Sequence, residues 1–212
     1  MDENKRIKTI LKKLSGLYPD VKPQLDFTNP FELLIATILS AQCTDERVNK
    51  VTKNLFTKYK IPEDYVAADT AVLEQDIFST GFYKQKTKSI KNCSQVLIND
   101  FNGQVPKDFN ELVKLPGVGR KTASVVAGNA FGVPAIAVDT HVKRLSNLLG
   151  FVNTKDPDKI EAELKKIVPE ENWINSSHWL IMHGRNICIA RRPKCEECLC
   201  SDLCPSSQAE KK

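Results

Sequence analysis

Residues 115–131 read LPGVGRKTASVVAGNAF, and no other stretch of the chain narrows its possible folds as much. Pro116, Gly117 and Gly119 fall within four residues, which rules out a helix or strand interior. Proline lacks an amide donor, and glycine opens backbone angles closed to other residues. The flanks are helical. Phe109, Leu112, Val113 and Leu115 recur at helical spacing before the turn, and Ala123, Val125, Val126, Ala127, Ala130 and Phe131 form an apolar set after it. Gly132 and Pro134 then end the second helix. Two helices joined by such a hairpin turn backbone amides outward beside a helix N-terminus, a site for an anion such as a phosphate. Gly117, Val118 and Gly119 are the candidate contacts.

The remaining pattern is helical as well. Ile7, Ile10, Leu11, Leu14 and Leu17 make a stripe along residues 5–17, which Tyr18-Pro19-Asp20 and Pro23 break. Asn29-Pro30 opens FELLIATILS, so apolar on all sides that it is predicted as a central core helix. Thr44, with Asp45 and Glu46 behind it, suits the cap of a helix running to Tyr59. A shorter helix is predicted near residues 68–78. Another spans 84–100, with lysines 84, 86, 88 and 91 as a solvated face and Cys93 inward. Beyond the hairpin, helices are predicted over 141–149, 160–168 and 173–188. No segment reads as a strand and no repeat is present, so the fold class is all-α. With 212 residues, 41% of them hydrophobic, the chain can bury a proper core.

The net charge of +5 suits a polyanionic partner, although many unrelated chains are as basic. The N-terminus MDENKRIKTI is polar, and no apolar run approaches the length of a membrane span. The expectation is a cytoplasmic monomer without membrane association, held near the nucleoid if the source is bacterial. Of seven cysteines, four are spaced C-x6-C-x2-C-x5-C: Cys188, Cys195, Cys198 and Cys204. In a reducing compartment these point to metal ligation rather than disulfides. Four thiolates suit zinc or an iron–sulfur cluster, although structural zinc normally shows two short pairs and only one lies here. Cys200 forms a competing C-x-C pair. Arg191, Arg192 and Lys194 lie between the first two ligands. They read as a solvated loop or, if metal pins the loop, as phosphate contacts.

Two residues carry candidate chemistry. Lys121 stands in the first turn after the hairpin, where it could be a phosphate contact or a nucleophile. Asp139 follows in VDTHVKRL, a sequence that makes it an N-cap. A capping carboxylate is also fixed and ionised, so it can accept a proton as well.

LPGVGRKTA, VDTHVKR and the terminal cysteine spacing together resemble the endonuclease III family of helix-hairpin-helix DNA glycosylases, over about Asn29 to Cys204. The resemblance implies two all-α lobes. One is a six-helix barrel domain over residues 22–133 containing the hairpin. The other, from residues 1–21 and 134–212, carries an iron–sulfur cluster, with DNA crossing between them. It implies a base-excision repair enzyme acting on duplex DNA with a damaged base or abasic site. The enzyme would flip out oxidised pyrimidines, cleave the N-glycosidic bond through a Lys121 Schiff base assisted by Asp139, and nick the strand by β-elimination. It further implies a [4Fe-4S] cofactor on Cys188, Cys195, Cys198 and Cys204, with Cys200 outside the set. Gln42, in SAQ-TD, takes the position that fills the gap left by the extruded nucleotide. Phe82 takes that of an apolar wedge, commonly leucine in the family. Two alternatives remain. Adenine and mismatch glycosylases share the hairpin, aspartate and cluster but lack a lysine at the position of Lys121. A non-catalytic DNA-binding module with a four-cysteine zinc site would be colourless, whereas an iron–sulfur protein is yellow-brown.

Overall fold

Every α-helix begins where the sequence supplies a start signal or a turn. The computed structural model describes residues 2–209, and among these the regular structure is helical throughout. In chain order the helices are α1 (Glu3–Leu17), α2 (Pro30–Leu39), α3 (Asp45–Lys58), α4 (Pro62–Ala67), α5 (Thr70–Ile77) and α6 (Tyr83–Phe101). They continue with α7 (Phe109–Lys114), α8 (Arg120–Phe131), α9 (Thr140–Leu148), α10 (Pro157–Ile167) and α11 (Trp173–Asn186). Side chains of Asn29, Thr44, Asp69, Asp108, Asp139 and Asp156 accept first-turn amides of the helices that follow them. No helix among the described residues is long and apolar enough to cross a membrane.

The contacts divide the chain into two compact units. One runs from Pro23 to Val133, and the other joins the N-terminal segment up to Lys22 to the residues from Pro134 onward. In the first, α2 is buried on almost every side and packs against α3, α6 and α8, as its apolarity predicts. Leu33, Leu34, Ile35, Leu39, Leu55, Leu73, Ile77, Ile90 and Leu97 form its fully buried centre. Each such side chain contributes about 1.5–3 kcal/mol. In the second unit α1 packs on α10 and α11, and α9 on α10 and α11, around Ile10, Leu14, Leu145, Ile160 and Leu164. Arg6 anchors α1 there by donating to the carbonyls of Leu149 (2.7 Å), Gly150 (3.1 Å) and Leu203 (3.1 Å).

One helix lies outside the expected set, and one expectation is corrected. The six-residue helix α4 is too short to show an apolar stripe. It is set by Pro62 in its first turn and by Asp64, whose carboxylate accepts the amides of Lys60 and Ile61. The lysines of α6 are not one solvated face. Lys84 and Lys88 are exposed, but Lys91 donates to the Ala68 carbonyl and Lys86 is buried at 4% exposure. The Lys86 ammonium donates to the carbonyls of Leu39 and Thr80, both at 2.8 Å. Burial lowers its pKa, with Cys43 opposing the shift. A charge spacing along a helix cannot reveal carbonyls supplied by two other segments.

Candidate active site

The hairpin closes through the Val118 amide, which donates to Leu115 O at 3.0 Å, while the Val118 side chain is buried in the core. That anchor leaves the flanking glycines exposed. Gly117 has φ +80°, and a Cβ there would come within 2.7 Å of Ser89 Cβ on α6. Gly119 is extended, with open space where its side chain would be. It starts α8 without a side-chain cap, so the turn presents helix N-terminal amides of the kind that accept an anion. Lys121 is exposed on this first turn, and Arg120 lies 5.1 Å from the Phe109 ring centroid.

Asp139, in the other unit, is half-buried, and its Oδ1 accepts the Val142 amide at 2.8 Å as the cap of α9. The carboxylate is therefore oriented by its own helix.

Gln42 and Phe82 share an unusual backbone state. Among the described residues, only Gln42 (φ 54°), Phe82 (φ 48°) and Asn102 (φ 51°) have positive φ without being glycine. Asn102 ends α6, a common place for that conformation. Gln42 and Phe82 instead stand at exposed loop tips, where a left-handed residue costs about 1–2 kcal/mol. Phe82 is 64% exposed, so it is no core anchor. Cys43 packs against the core.

The cysteines of the second unit follow α11. Cys188, Cys195, Cys198 and Cys204 line one cavity of about 210 Å³, whereas Cys200 is buried in the adjoining core. No three His, Cys, Asp or Glu side chains among the described residues gather closely enough to hold a single metal ion. A tetrahedral zinc site would need its sulfurs about 2.3 Å from one point. No disulfide joins any of the seven cysteines. A hydrogen bond with Cys200, aided by His183, lowers the pKa of the Cys198 thiol. The same contact and burial push Cys200 up.

Sequence reasoning missed the groups around this cavity. Arg144 donates to Cys188 O at 2.6 Å and lies 3.7 Å from its sulfur, and buried His183 places Nε2 3.4 Å from Cys198 Sγ. Tyr18 from α1 approaches the other His183 ring nitrogen at 3.4 Å. Gly184 makes room for this packing, since a Cβ there would meet His141 Nδ1 at 2.9 Å. None of these residues belongs to a local motif. In the loop between the first two cysteines Arg191, Arg192 and Lys194 are all exposed. Lys194 has a long 3.6 Å ion pair to Glu197, and its amide closes the loop on Ile187 O at 2.9 Å.

Comparison with known proteins identifies the family. The profile of the HhH-GPD superfamily base excision DNA repair proteins matches residues 35–170. Endonuclease III of Bacillus subtilis is 51% identical over 209 residues, covering 98% of this chain and 95% of the relative. Endonuclease III of Escherichia coli K12 is 43% identical over 204 residues, 96% of each. Among solved structures, a trapped endonuclease III–DNA covalent intermediate is 50% identical, with a TM-score of 0.93 over 97% of each chain. A thermostable thymine-DNA glycosylase is 29% identical, with a TM-score of 0.86 over 96% of this chain and 97% of that one. Near-full-length identity of this order, together with the matching profile and the hairpin, makes the chain a member of the endonuclease III family of base excision DNA repair proteins.

Proposed function

We propose that this member of the endonuclease III family, a bifunctional DNA glycosylase and abasic-site lyase, removes oxidised pyrimidines from duplex DNA with Lys121 as nucleophile and Asp139 as the assisting carboxylate. The observation that carries the reading is the exposed Lys121 amine on the first turn of α8; Leu115 O engages the Val118 amide, which leaves those of Gly117 and Gly119 for a DNA strand. A strand whose phosphate rests on those amides passes that amine. The relative caught in covalent linkage to DNA supports a nucleophilic side chain.

In this mechanism the damaged nucleotide leaves the stack, and Gln42 takes its place while Phe82 wedges the duplex. The Lys121 amine, having given a proton to Asp139, attacks the anomeric carbon as the bond to the base breaks. The proton taken up by Asp139 passes to the departing base, and the carboxylate so restored stabilises positive charge developing on the sugar. The sugar ring then opens, the C1′–O4′ bond breaking as O4′ takes the proton of the attacking nitrogen, and the imine so formed acidifies the neighbouring carbon, whose proton passes to water as the 3′ phosphate is expelled. Water then releases Lys121. Arg191, Arg192 and Lys194 hold phosphates outside the lesion.

The donor set favours a [4Fe-4S] cluster on Cys188, Cys195, Cys198 and Cys204 over zinc, because four sulfurs ring a cavity and do not converge on one point. When bound, such a cluster would supply a rigid anchor for the basic loop. In this reading residues 22–133 form the hairpin domain and 1–21 with 134–212 the cluster domain, and the enzyme works in the cytoplasm.

Borohydride trapping on an abasic-site duplex tests the assignment. Wild type becomes covalently linked to DNA. Lys121→Gln binds a duplex with an oxidised pyrimidine but neither releases the base nor is trapped. Wild-type trapping by Lys121→Gln would reduce the lysine to a phosphate ligand.

A further inference from the structure

Lys86 occupies a position on α6 that an aliphatic residue could fill without desolvating an ammonium. What its charge does there follows from where its hydrogen bonds go. One acceptor, Leu39 O, belongs to the last residue of α2, three before Gln42. The other, Thr80 O, lies two residues before Phe82. The Lys86 backbone amide donates in addition to the carbonyl of Phe82 itself, at 3.0 Å. A single residue thus ties the stems of both loops whose tips hold the left-handed Gln42 and Phe82.

The chemistry of the link requires such a side chain. Two carbonyl oxygens are both acceptors and cannot bond each other, so joining them takes a group with several donors. The hydroxyls of Ser40 and Thr80 are engaged within their own segments, donating to Thr37 O and Ile77 O at 2.8 Å each. A buried ammonium is also a stiff link, because its charge-assisted bonds strengthen where water is excluded.

We propose that Lys86 is a positioning residue for lesion recognition: it sets the separation of the Gln42 and Phe82 loops so that the two tips enter the duplex as one rigid pair. This rests on the reading of Gln42 and Phe82 as the inserted residues. Both tips are exposed, and a loop that must be ordered on binding spends affinity in doing so.

The test uses a duplex with a tetrahydrofuran abasic analogue opposite 2-aminopurine, and a matched undamaged duplex. The quantity read is the ratio of the two affinities, which does not depend on the fraction of folded enzyme. The fluorescence of 2-aminopurine in the saturated complex is read beside it. Lys86→Met is expected to lower the ratio about tenfold or more and to dim the unstacked 2-aminopurine signal, since small displacements of a positioned group carry losses of that order. Lys86→Arg, which keeps the charge and the donors, should recover part of the ratio. A merely structural lysine would lower both affinities together and leave the ratio intact.

Gln42→Ala and Phe82→Ala are measured in parallel. If they lower the ratio and Lys86→Met does not, the proposal for Lys86 is overturned while the insertion reading stands. If neither lowers it, the insertion reading fails and takes the proposal with it. A further measurement leaves Lys86 unchanged and so survives a Lys86→Met that does not fold. Tips held as one unit should give non-additive losses in the Gln42→Ala/Phe82→Ala double variant, and strict additivity would overturn the link.

Discussion

Gly117 stands so close to Ser89 that a Cβ on the glycine would lie 2.7 Å from the Cβ of the serine, whereas a Cβ on Gly119 would meet nothing within 4 Å. The two hairpin glycines therefore serve different ends. Gly117→Ala combines a left-handed φ with a clash against α6 and is expected to cost about 2 kcal/mol or more. Gly119→Ala should change stability by less than about 1 kcal/mol, yet weaken duplex binding by filling the space an incoming phosphate needs. Thermal melts and duplex titrations of both variants check this. Undiminished binding by Gly119→Ala would remove the hairpin from the DNA contact.

Asp139 caps α9 and, in the mechanism above, serves the reaction, and substitution separates these roles. Asparagine is an equally good cap, so Asp139→Asn should melt like wild type, while Asp139→Ala loses about 1 kcal/mol. Both should release damaged bases far more slowly, with a smaller deficit in nicking a preformed abasic site. Full base release by Asp139→Asn would leave the carboxylate with its capping role alone.

The cavity ringed by Cys188, Cys195, Cys198 and Cys204 predicts about four irons per chain. Serine at any of the four should lose iron and soluble protein. Cys200→Ser should keep the iron and only lower the melting temperature, since it buries a hydroxyl in the apolar core of the second unit. Iron analysis decides: retention in Cys198→Ser with loss in Cys200→Ser would reverse the ligand set.

Exposed cations at Arg191, Arg192 and Lys194 should make affinity for undamaged duplex fall with salt. With roughly four to six phosphate contacts in all, the log–log slope is expected at about −4 to −5. Replacing the three by alanine should flatten it. A slope untouched by that change would take the loop out of the interface.

Burial lowers the pKa of His178 below the usual histidine value of 6.5. As pH falls through 6.5, the unfolded chain takes up a proton that the folded chain refuses, so stability declines in the window below 6.5 and is regained on returning to neutrality. His178→Asn should flatten this limb of the melting temperature against pH. An unchanged limb would mean that other groups carry the acid sensitivity.

Much of this protein was legible from short-range chemistry. Asn29-Pro30, Thr44 and Asp139 announce helix starts because each cap satisfies an amide three residues away. The hairpin is visible because proline and paired glycines permit little else. The continuous apolarity of FELLIATILS places α2 in a core for the same reason that it is buried there.

The tertiary structure decided what depends on partners far apart in the chain. Lys86 looks like one more solvated lysine until Leu39, 47 residues earlier, presents its carbonyl. Arg6 reaches a carbonyl 143 residues away, and Arg144 that of Cys188, 44 residues away. The left-handed backbones of Gln42 and Phe82 belong to the same class, since neither side chain favours that conformation and only the surrounding loops impose it. Local sequence determines which backbone groups a segment can satisfy by itself. Which side chains satisfy the remainder is decided only when packing brings distant segments together.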